Sequence, residues 1–381
     1  MKNKHIKVVP DTDEGSCVMK KTVFLQVFAI MVAAAVFGSC EKENGGINGA
    51  TGKALVKMSN LSYEKHYYDN ALRYTWGGYG ASQLNWSNGK IVGHMSSSYE
   101  DGELVQTDLG ETFVYEGDLL TEIRQERGGR QNNTYFTYSN GQVSEVYSTW
   151  TDEERSGWTK YEYTYSDNGK LRRVKKTSSS SATDVRTYEF TWSGDNIVVE
   201  QVYENGSLYR TTNYTYDSKV SVWASVPREM LLEGSFDHLS ANNVIAETDV
   251  DRDGDSRTTT YTYTYEGNYP VKCVSTYTSS SEYSSYRYEE VSTTYFEYAD
   301  GTGASQVPQV YCVNVSRNNT DAGYVYGDGD YAAGTTAVLY ASPNTYGGYA
   351  FQSWSDGVTA NPRTITVNGN ASYVAIFTSG N

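Results

Sequence analysis

The sequence has little of what most catalytic sites need. Its 381 residues include only four histidines, six prolines and four cysteines. So few histidines leave little material for histidine-based acid–base catalysis or for a zinc site. The motifs Gly-x-Ser-x-Gly and His-Glu-x-x-His, the Walker loop and the dinucleotide fingerprint do not occur. We therefore expect no enzyme and assign no catalytic residue.

Positive charge is also in short supply. The chain has 31 Lys and Arg against 46 Asp and Glu, a net charge of −15, and no stretch gathers its basic residues into a strip. Such a surface would repel the phosphate backbone, so no nucleic-acid partner is expected. A secreted glycoside hydrolase needs only two carboxylates and stays the least favoured alternative, because nothing in the sequence selects a pair.

Tyrosine is abundant, with 36 copies beside seven Trp and ten Phe. Between residues 55 and 298 one pattern recurs: aromatic residues alternate with polar ones, a turn follows, and an aliphatic strand comes next. In one copy, residues 161–165 read YEYTY and are followed by Asp-Asn-Gly at residues 167–169. Leu171 and Val174 then belong to the aliphatic strand. Alternation with period two places the tyrosines on one face of a strand.

The turns of this pattern recur about every 23 to 29 residues, the mark of a repeat architecture. Asn-Gly is a strong hairpin signal, because both residues tolerate a positive φ. The sequence therefore predicts an all-β protein, in which residues 55–302 form a long antiparallel hairpin meander of roughly 15 to 20 strands. Residues 303–308 are expected to be a linker.

One segment interrupts the meander. Residues 221–247 lack the alternation, and Pro227 stands where a short helix over residues 226–232 would have its first turn. We expect this segment to cross over, or to plug one end of the sheet.

The aromatic residues have two interpretations. Their rings can be the packing face of the sheet, or an exposed strip that stacks on sugars or on a protein partner, since tyrosine has an apolar body and a polar tip. Trp150, Trp158 and Trp223 are the candidates for an exposed platform. The sequence does not identify the ligand.

The N-terminal part has the anatomy of a secretory signal. Residues 19–40 read MKKTVFLQVFAIMVAAAVFGSC, with a basic start and an apolar run that is short for a membrane span. The small residues before Cys40 resemble a bacterial lipobox, which implies a lipoprotein signal peptide at 19–39 and lipidation of Cys40. Residues 1–18 are then expected to be a mis-called upstream extension, with a long basic leader region as the alternative.

Acidic residues follow that cysteine at once. Residues 41–43 read Glu-Lys-Glu and resemble the export signal that sends Bacteroidetes lipoproteins to the outer face of the outer membrane. This resemblance implies a lipid-anchored protein exposed at the cell surface; the alternative is an ordinary polar tether facing the periplasm. Residues 40–54, rich in Gly and Asn, are expected to be a flexible tether.

Two cysteines remain beyond the leader, one in each presumed domain. Cys273 and Cys312 can pair in an oxidising compartment, or they can be two separate buried thiols. The sequence leaves both alternatives open.

A run of alternate aspartates is the sharpest local motif. Asp249, Asp251 and Asp253 precede Gly254, and Asp255 can add a backbone carbonyl. Carboxylates spaced in this way ahead of a glycine can hold Ca²⁺, although the twelfth position is threonine and helical flanks are missing, so that an EF-hand is excluded. An open calcium loop is one interpretation, and a solvated hairpin tip is the other.

The repeat pattern is clearest at residues 214–219, 242–244, 261–265 and 269–272, which read YTYDSK, NNV, YTYTY and YPVK. It resembles the tyrosine–aspartate repeats of Rhs-type proteins and, more closely, a family of uncharacterised Bacteroidetes surface lipoproteins. The resemblance covers about residues 60–300 and implies no known activity.

The last part of the chain changes character. Residues 327–331, 348–357, 361–367 and 375–377 read GDGDY, GYAFQSWSDG, NPRTITV and AIF. Together they resemble the divergent internalin B-repeat, which implies a second module at 309–381 with a small β-grasp-like fold and a role as spacer or adhesive unit.

Within that module, Phe351 and Trp354 are expected to anchor the core and Phe377 to close the sheet. A carbohydrate-binding Trp354 is the alternative. Taken together, the sequence favours a lipid-anchored binding or adhesion protein whose ligand is a glycan or a surface protein. The alternative is a structural envelope lipoprotein that partners an outer-membrane complex.

Overall fold

A computed structural model describes residues 53–88, 90–100, 103–254, 256–280, 286–304 and 306–379. The predicted signal peptide, Cys40, most of the predicted tether and Asp255 lie outside these described residues. Among the described residues, no helix is both long enough and apolar enough to cross a membrane.

The described residues form an all-β fold, as the sequence predicts. Within them, residues 55–302 contain seventeen strands, a number inside the predicted range of roughly 15 to 20. They are β1 Leu55–Tyr68, β2 Ala71–Ser87, β3 Lys90–Glu100, β4 Glu103–Asp108, β5 Glu111–Glu116, β6 Leu119–Arg127, β7 Arg130–Ser139, β8 Gln142–Thr151, β9 Ser156–Tyr165, β10 Leu171–Ser178, β11 Ser181–Ser193, β12 Asn196–Glu204, β13 Ser207–Tyr216, β14 Val244–Asp251, β15 Ser256–Glu266, β16 Tyr269–Ser280 and β17 Tyr286–Tyr298.

These strands form a meander that curls back on itself. From β5 to β17 each strand pairs antiparallel with the next, and β17 pairs with β1, which continues through β2 to β3 and β4. Between β4 and β5 the chain returns to β3, where the Leu109 amide donates to the His94 carbonyl at 2.9 Å. The strand order is therefore circular, and we call this arrangement the strand ring.

The tight turns of the ring follow from their residues. Asn140 and Gly141 have φ values of 52° and 74°, and Asn205 and Gly206 have 51° and 83°. Two successive positive φ values give the turn whose twist matches antiparallel strands, and Asn-Gly adopts them at little cost. The Asn-Gly signal is confirmed as a hairpin turn at Asn140-Gly141, and Asn205-Gly206 is a further turn of the same kind.

A side-chain hydrogen bond recurs beside these turns. In each case an aromatic residue near the end of one strand donates to the backbone carbonyl of a residue at the start of an earlier strand, which satisfies its polar tip inside the fold. The pairs are Tyr115 to Ile91 at 3.1 Å, Tyr138 to Leu120 at 2.7 Å, Tyr165 to Val143 at 2.8 Å, Trp192 to Leu171 at 2.7 Å, Tyr216 to Ile197 at 2.6 Å and Tyr298 to Pro270 at 2.9 Å.

The segment between β13 and β14 fills part of the ring's interior. It forms three 3₁₀ helices, Val222–Ser225, Arg228–Leu231 and Phe236–Leu239, and Pro227 precedes the second of them. Phe236 is fully buried against Tyr188 and other rings of the strands. The segment therefore plugs the sheet, one of the two arrangements predicted, and its helices are short 3₁₀ helices. The predicted segment ended at residue 247, whereas β14 already begins at Val244.

The C-terminal module has seven strands within the described residues. One group pairs β18 with β20, β24 with β22, and β18 parallel to β24; the other pairs β21 with β19 and with β23. The strands are β18 Val310–Arg317, β19 Gly323–Tyr326, β20 Gly329–Ala332, β21 Thr336–Pro343, β22 Tyr349–Trp354, β23 Arg363–Thr366 and β24 Ala371–Ser379.

The core of this module agrees with the sequence analysis. Trp354 is completely buried, and its indole N–H donates to the Ala360 carbonyl at 3.0 Å. Phe377 is buried beside it, and Phe351 is half-buried with its ring 5.4 Å from that of Trp354. A buried indole cannot stack on a sugar, so Trp354 is a core residue.

The two modules touch through backbone. Gly77 of β2 pairs with Gly329 of β20, where a Cβ on Gly329 would lie 2.1 Å from the Gly77 carbonyl oxygen. The buried Tyr331 hydroxyl donates to the Thr75 carbonyl at 3.1 Å, and the Val338 amide donates to the Thr75 hydroxyl at 2.9 Å. The C-terminal module is therefore packed against β2 of the strand ring.

Candidate functional site

The strand ring contains a cavity of about 560 Å³. It lies between the 3₁₀ segment and the strands β1 and β14 to β17. Ser235, which lines it, is exposed, so the cavity is reached by solvent. A volume of this size is ordinary for sites that bind small organic molecules.

Aromatic rings form one part of the lining. Trp223, from the first 3₁₀ helix, has its ring 4.1 Å from that of His238 in the third helix. Tyr261 and Tyr288 come from β15 and β17, whose alternation turns these positions inward. Trp223 is therefore not part of an exposed platform but part of this cavity.

Small polar residues form a second part. Asn60 of β1 lies opposite Thr294 of β17, and its side-chain amide donates to the hydroxyls of Ser292 at 2.6 Å and Thr294 at 2.9 Å. Ser275 of β16 continues this row of hydroxyl groups. These strands place short hydroxyl and amide side chains on the inner face where other strands place rings, and the space they leave contributes to the cavity.

Three carboxylates complete the lining. Glu64 lies 3.0 Å from the His66 ring nitrogen, Glu290 accepts from the Tyr288 hydroxyl at 2.7 Å, and Asp237 lies 3.8 Å from His238. Within the described parts of the chain, neither Lys nor Arg lines the cavity or forms an ion pair with these carboxylates.

The titration of neighbouring groups reflects this environment. Burial lowers the pKa of His238, which keeps its ring neutral near pH 7. Burial and the hydrogen bond to Glu290 raise the pKa of Tyr288 far above its usual value. Burial and the Glu247 carboxylate do the same for the pKa of Tyr261. His238, Tyr261 and Tyr288 are therefore uncharged near pH 7.

A second acidic group lies deeper between β12, β13 and β14. Glu200 is buried 3.3 Å from Arg210, and burial raises its pKa to about 7. Asp249 accepts from the Thr212 hydroxyl at 2.5 Å and lies 3.6 Å from Arg210. These carboxylates, unlike those of the cavity, have an arginine beside them.

The other aspartates of the predicted calcium loop occupy the β14–β15 hairpin. Asp251 accepts from the Asp253 amide at 3.0 Å, as in a turn closed by an aspartate side chain. Asp249 is tied to β13 instead, and Asp255 lies outside the described residues. Among the described residues, no three His, Cys, Asp or Glu side chains are grouped to hold a metal ion. Calcium binding at this loop stays a prediction.

The two cysteines are separate buried thiols. Cys273 of β16 lines the cavity, and burial raises its pKa to about 12, so it is a poor nucleophile. Cys312 is buried in β18 of the other module. Of the two alternatives that the sequence left open, the structure has two separate buried thiols.

Trp150 and Trp158 do not share a surface. Trp150 lies directly opposite Gly157, whose neighbour Trp158 projects to the other face of the sheet. The Arg130 guanidinium lies 5.2 Å from the Trp150 ring, while Trp158 packs 6.1 Å from Tyr147. A joint platform of these two indoles is therefore wrong.

Sequence reasoning missed the residues that give the cavity its charge. Glu64, Asp237 and Glu290 belong to no motif and come from three distant segments. One signal was available: the inner positions of β1 read Asn60, Ser62 and Glu64, where most strands of the repeat have aromatic rings. A polar break in the aromatic pattern indicates a part of the sheet that faces water or a ligand.

The comparisons with known proteins cover the two modules differently. Residues 313–381 match the divergent InlB B-repeat domain, which confirms the resemblance seen in the sequence. A porin-like protein from Bacteroides uniformis is similar at 12% identity with a TM-score of 0.39, covering 63% of this chain and 96% of that one. A porin-like protein from Bacteroides vulgatus gives 13% identity, a TM-score of 0.36 and coverages of 64% and 98%. No curated protein matches.

Proposed function

We propose that this protein is a non-enzymatic binding protein of the cell surface, and that the cavity of the strand ring holds its ligand. The cavity carries this proposal, because it combines aromatic rings, a row of hydroxyls and carboxylates in about 560 Å³. Rings that stack on a sugar face and polar groups that bond its hydroxyls are the two components of glycan recognition. A glycan is therefore the proposed ligand.

The location and the lipid anchor of the protein are part of the same proposal. A lipid on Cys40 and a tether over residues 40–54 would hold the two modules outside the outer membrane. The C-terminal InlB-type module would serve as a spacer or a second contact. Metabolic labelling with a palmitate analogue tests the anchor: the full-length chain takes up label, and Cys40→Ser does not. Label on the serine variant would contradict lipidation at this residue.

A glycan array tests the binding function. The fragment Glu41–Asn381, which contains all the described residues, is screened in Ca²⁺ and again in EDTA. We expect saturable binding to one glycan class that Trp223→Ala weakens and Trp158→Ala, on the outer face, leaves unchanged. Loss of binding in EDTA would support the aspartates of the β14–β15 hairpin as ligands of calcium.

Absence of binding in both buffers would contradict the proposal that the ligand is one of the glycans on the array. The rival function, a structural envelope lipoprotein with a protein partner, would then be favoured.

A further inference from the structure

The charge of the cavity restricts its ligand further. Glu64, Asp237 and Glu290 face it, and the described lining contains no Lys or Arg. Elsewhere in the ring a buried carboxylate such as Glu200 has Arg210 within 3.3 Å. An ammonium group on a ligand can form charge-assisted hydrogen bonds with carboxylates that have no Lys or Arg beside them. The lining therefore suits a positively charged ligand.

A bare metal ion does not satisfy this lining. Calcium and magnesium need several oxygens within about 2.0 to 2.6 Å of one point. In the described part of the chain, no three acidic, histidine or cysteine side chains are grouped in that way. The three carboxylates are instead distributed over a cavity of about 560 Å³, which matches an organic molecule.

The uncharged lining indicates what else that molecule carries. Trp223, Tyr261 and Tyr288 present aromatic rings, and an organic ammonium is attracted to the face of such rings as well as to carboxylates. The hydroxyls of Ser292 and Thr294, already ordered by Asn60, offer donors and acceptors to a ligand that is itself hydroxylated.

We infer that the cavity binds a hydroxylated organic cation of the amino-sugar class. The ammonium lies against Glu290 and the other carboxylates of the cavity. The sugar hydroxyls form hydrogen bonds with Asn60, Ser292 and Thr294. This inference rests on the proposed glycan-binding function and narrows it to glycans whose amines are not acylated.

A matched pair of ligands tests the charge. The β-1,4 disaccharide of glucosamine and its fully N-acetylated form have the same rings and linkage, but only the first is a cation near pH 6. Titration calorimetry on the fragment Glu41–Asn381, the same protein as on the array, is expected to give at least about tenfold tighter binding of the cationic form, the effect of one charge-assisted bond.

Variants of two adjacent residues test whether the amino disaccharide binds in this cavity. Glu290→Gln keeps the shape and the acceptor for Tyr288 but removes the charge, so we expect about tenfold weaker binding of the amino disaccharide. Glu289→Gln is the control, because Glu289 pairs with Lys65 at 2.5 Å on the opposite face of the same strand and its loss should leave binding unchanged.

The outcomes separate the two proposals. Equal binding of both disaccharides, or tighter binding of the acetylated one, overturns the amino-sugar inference and leaves the glycan-binding function supported. Binding of neither overturns the inference, and the function is then decided by the array. Selective binding that Glu290→Gln does not weaken overturns the assignment to this cavity.

Discussion

At the scale of single residues, the inner face of the strand ring mixes two chemistries. Next to the tight turns, rings and aliphatic side chains exclude water and satisfy their polar tips on carbonyls, as Tyr165 does on Val143. Farther along the same strands, ionisable groups are buried. Glu200, almost fully buried in β12, is the clearest case, and burial raises its pKa to about 7 even with Arg210 beside it.

Stability should depend on pH through this glutamate. An acid whose folded pKa is raised above its unfolded value of about 4.3 holds its proton better in the folded state. Its contribution to the free energy of unfolding is therefore greatest at low pH, falls as pH rises from about 4.3 to about 7, and is constant above that.

Urea unfolding of the wild type and of Glu200→Gln at pH 5 and pH 8 measures this effect. Glutamine does not titrate, so the difference between the two proteins should shift in favour of the variant by roughly 3 kcal/mol on going to pH 8. A difference that is independent of pH would show that Glu200 titrates normally in the folded protein.

At the scale of elements, the hairpin is the unit of this fold. The β7–β8 hairpin combines a turn that reverses the chain within two residues and an aliphatic residue near the start of the following strand. Gly141, with a φ of 74°, belongs to the turn, and Val143 is the aliphatic residue. The 3₁₀ segment is the exception, because it replaces a hairpin between β13 and β14 and fills the ring's interior instead.

Gly141→Ala should destabilise the protein by about 1 to 2 kcal/mol, because an L residue with a Cβ is strained at positive φ. Open space surrounds the position, so a steric clash adds nothing. Gly369→Ala is the control: its surroundings are equally open and its φ lies outside the left-handed region, so we expect little change. Equal effects in chemical denaturation would contradict the backbone explanation.

At the scale of the whole molecule, the two modules share an interface made of backbone and buried tyrosine. Gly77 and Gly329 approach so closely that no side chain fits at either position. Tyr331 and Thr75 then connect the two cores by hydrogen bonds. Such an interface makes the InlB-type module part of one folded body with the ring.

Gly77→Ala should separate the modules, because its Cβ would lie 2.5 Å from the Asp330 carbonyl oxygen. Calorimetry is expected to show one thermal transition in the wild type and two in this variant. Gly80→Ala, on the same strand and in open space, is expected to keep a single transition. Two transitions in the wild type would show that the modules are energetically independent.

The sequence by itself determined the strands, their turns and the C-terminal module. The strands and turns are local features, because alternation with period two and positive φ at Asn-Gly each act within a few residues. The C-terminal module was recognised from its resemblance to the divergent internalin B-repeat. The local pattern also placed the tyrosines on one face and showed that residues 221–247 interrupt the sheet, because a run without alternation cannot continue it. It left open whether the rings pack inside and whether the segment crosses over or plugs the sheet.

Only the tertiary structure decided that the strand order is circular and where the cavity lies. The pairing of β1 with β17 joins residues more than 200 positions apart, and it brings Glu64 beside Glu290. Asp237 reaches the same cavity from the plug. No local pattern encodes such a meeting, since it depends on how far the sheet curls and on what fills its interior.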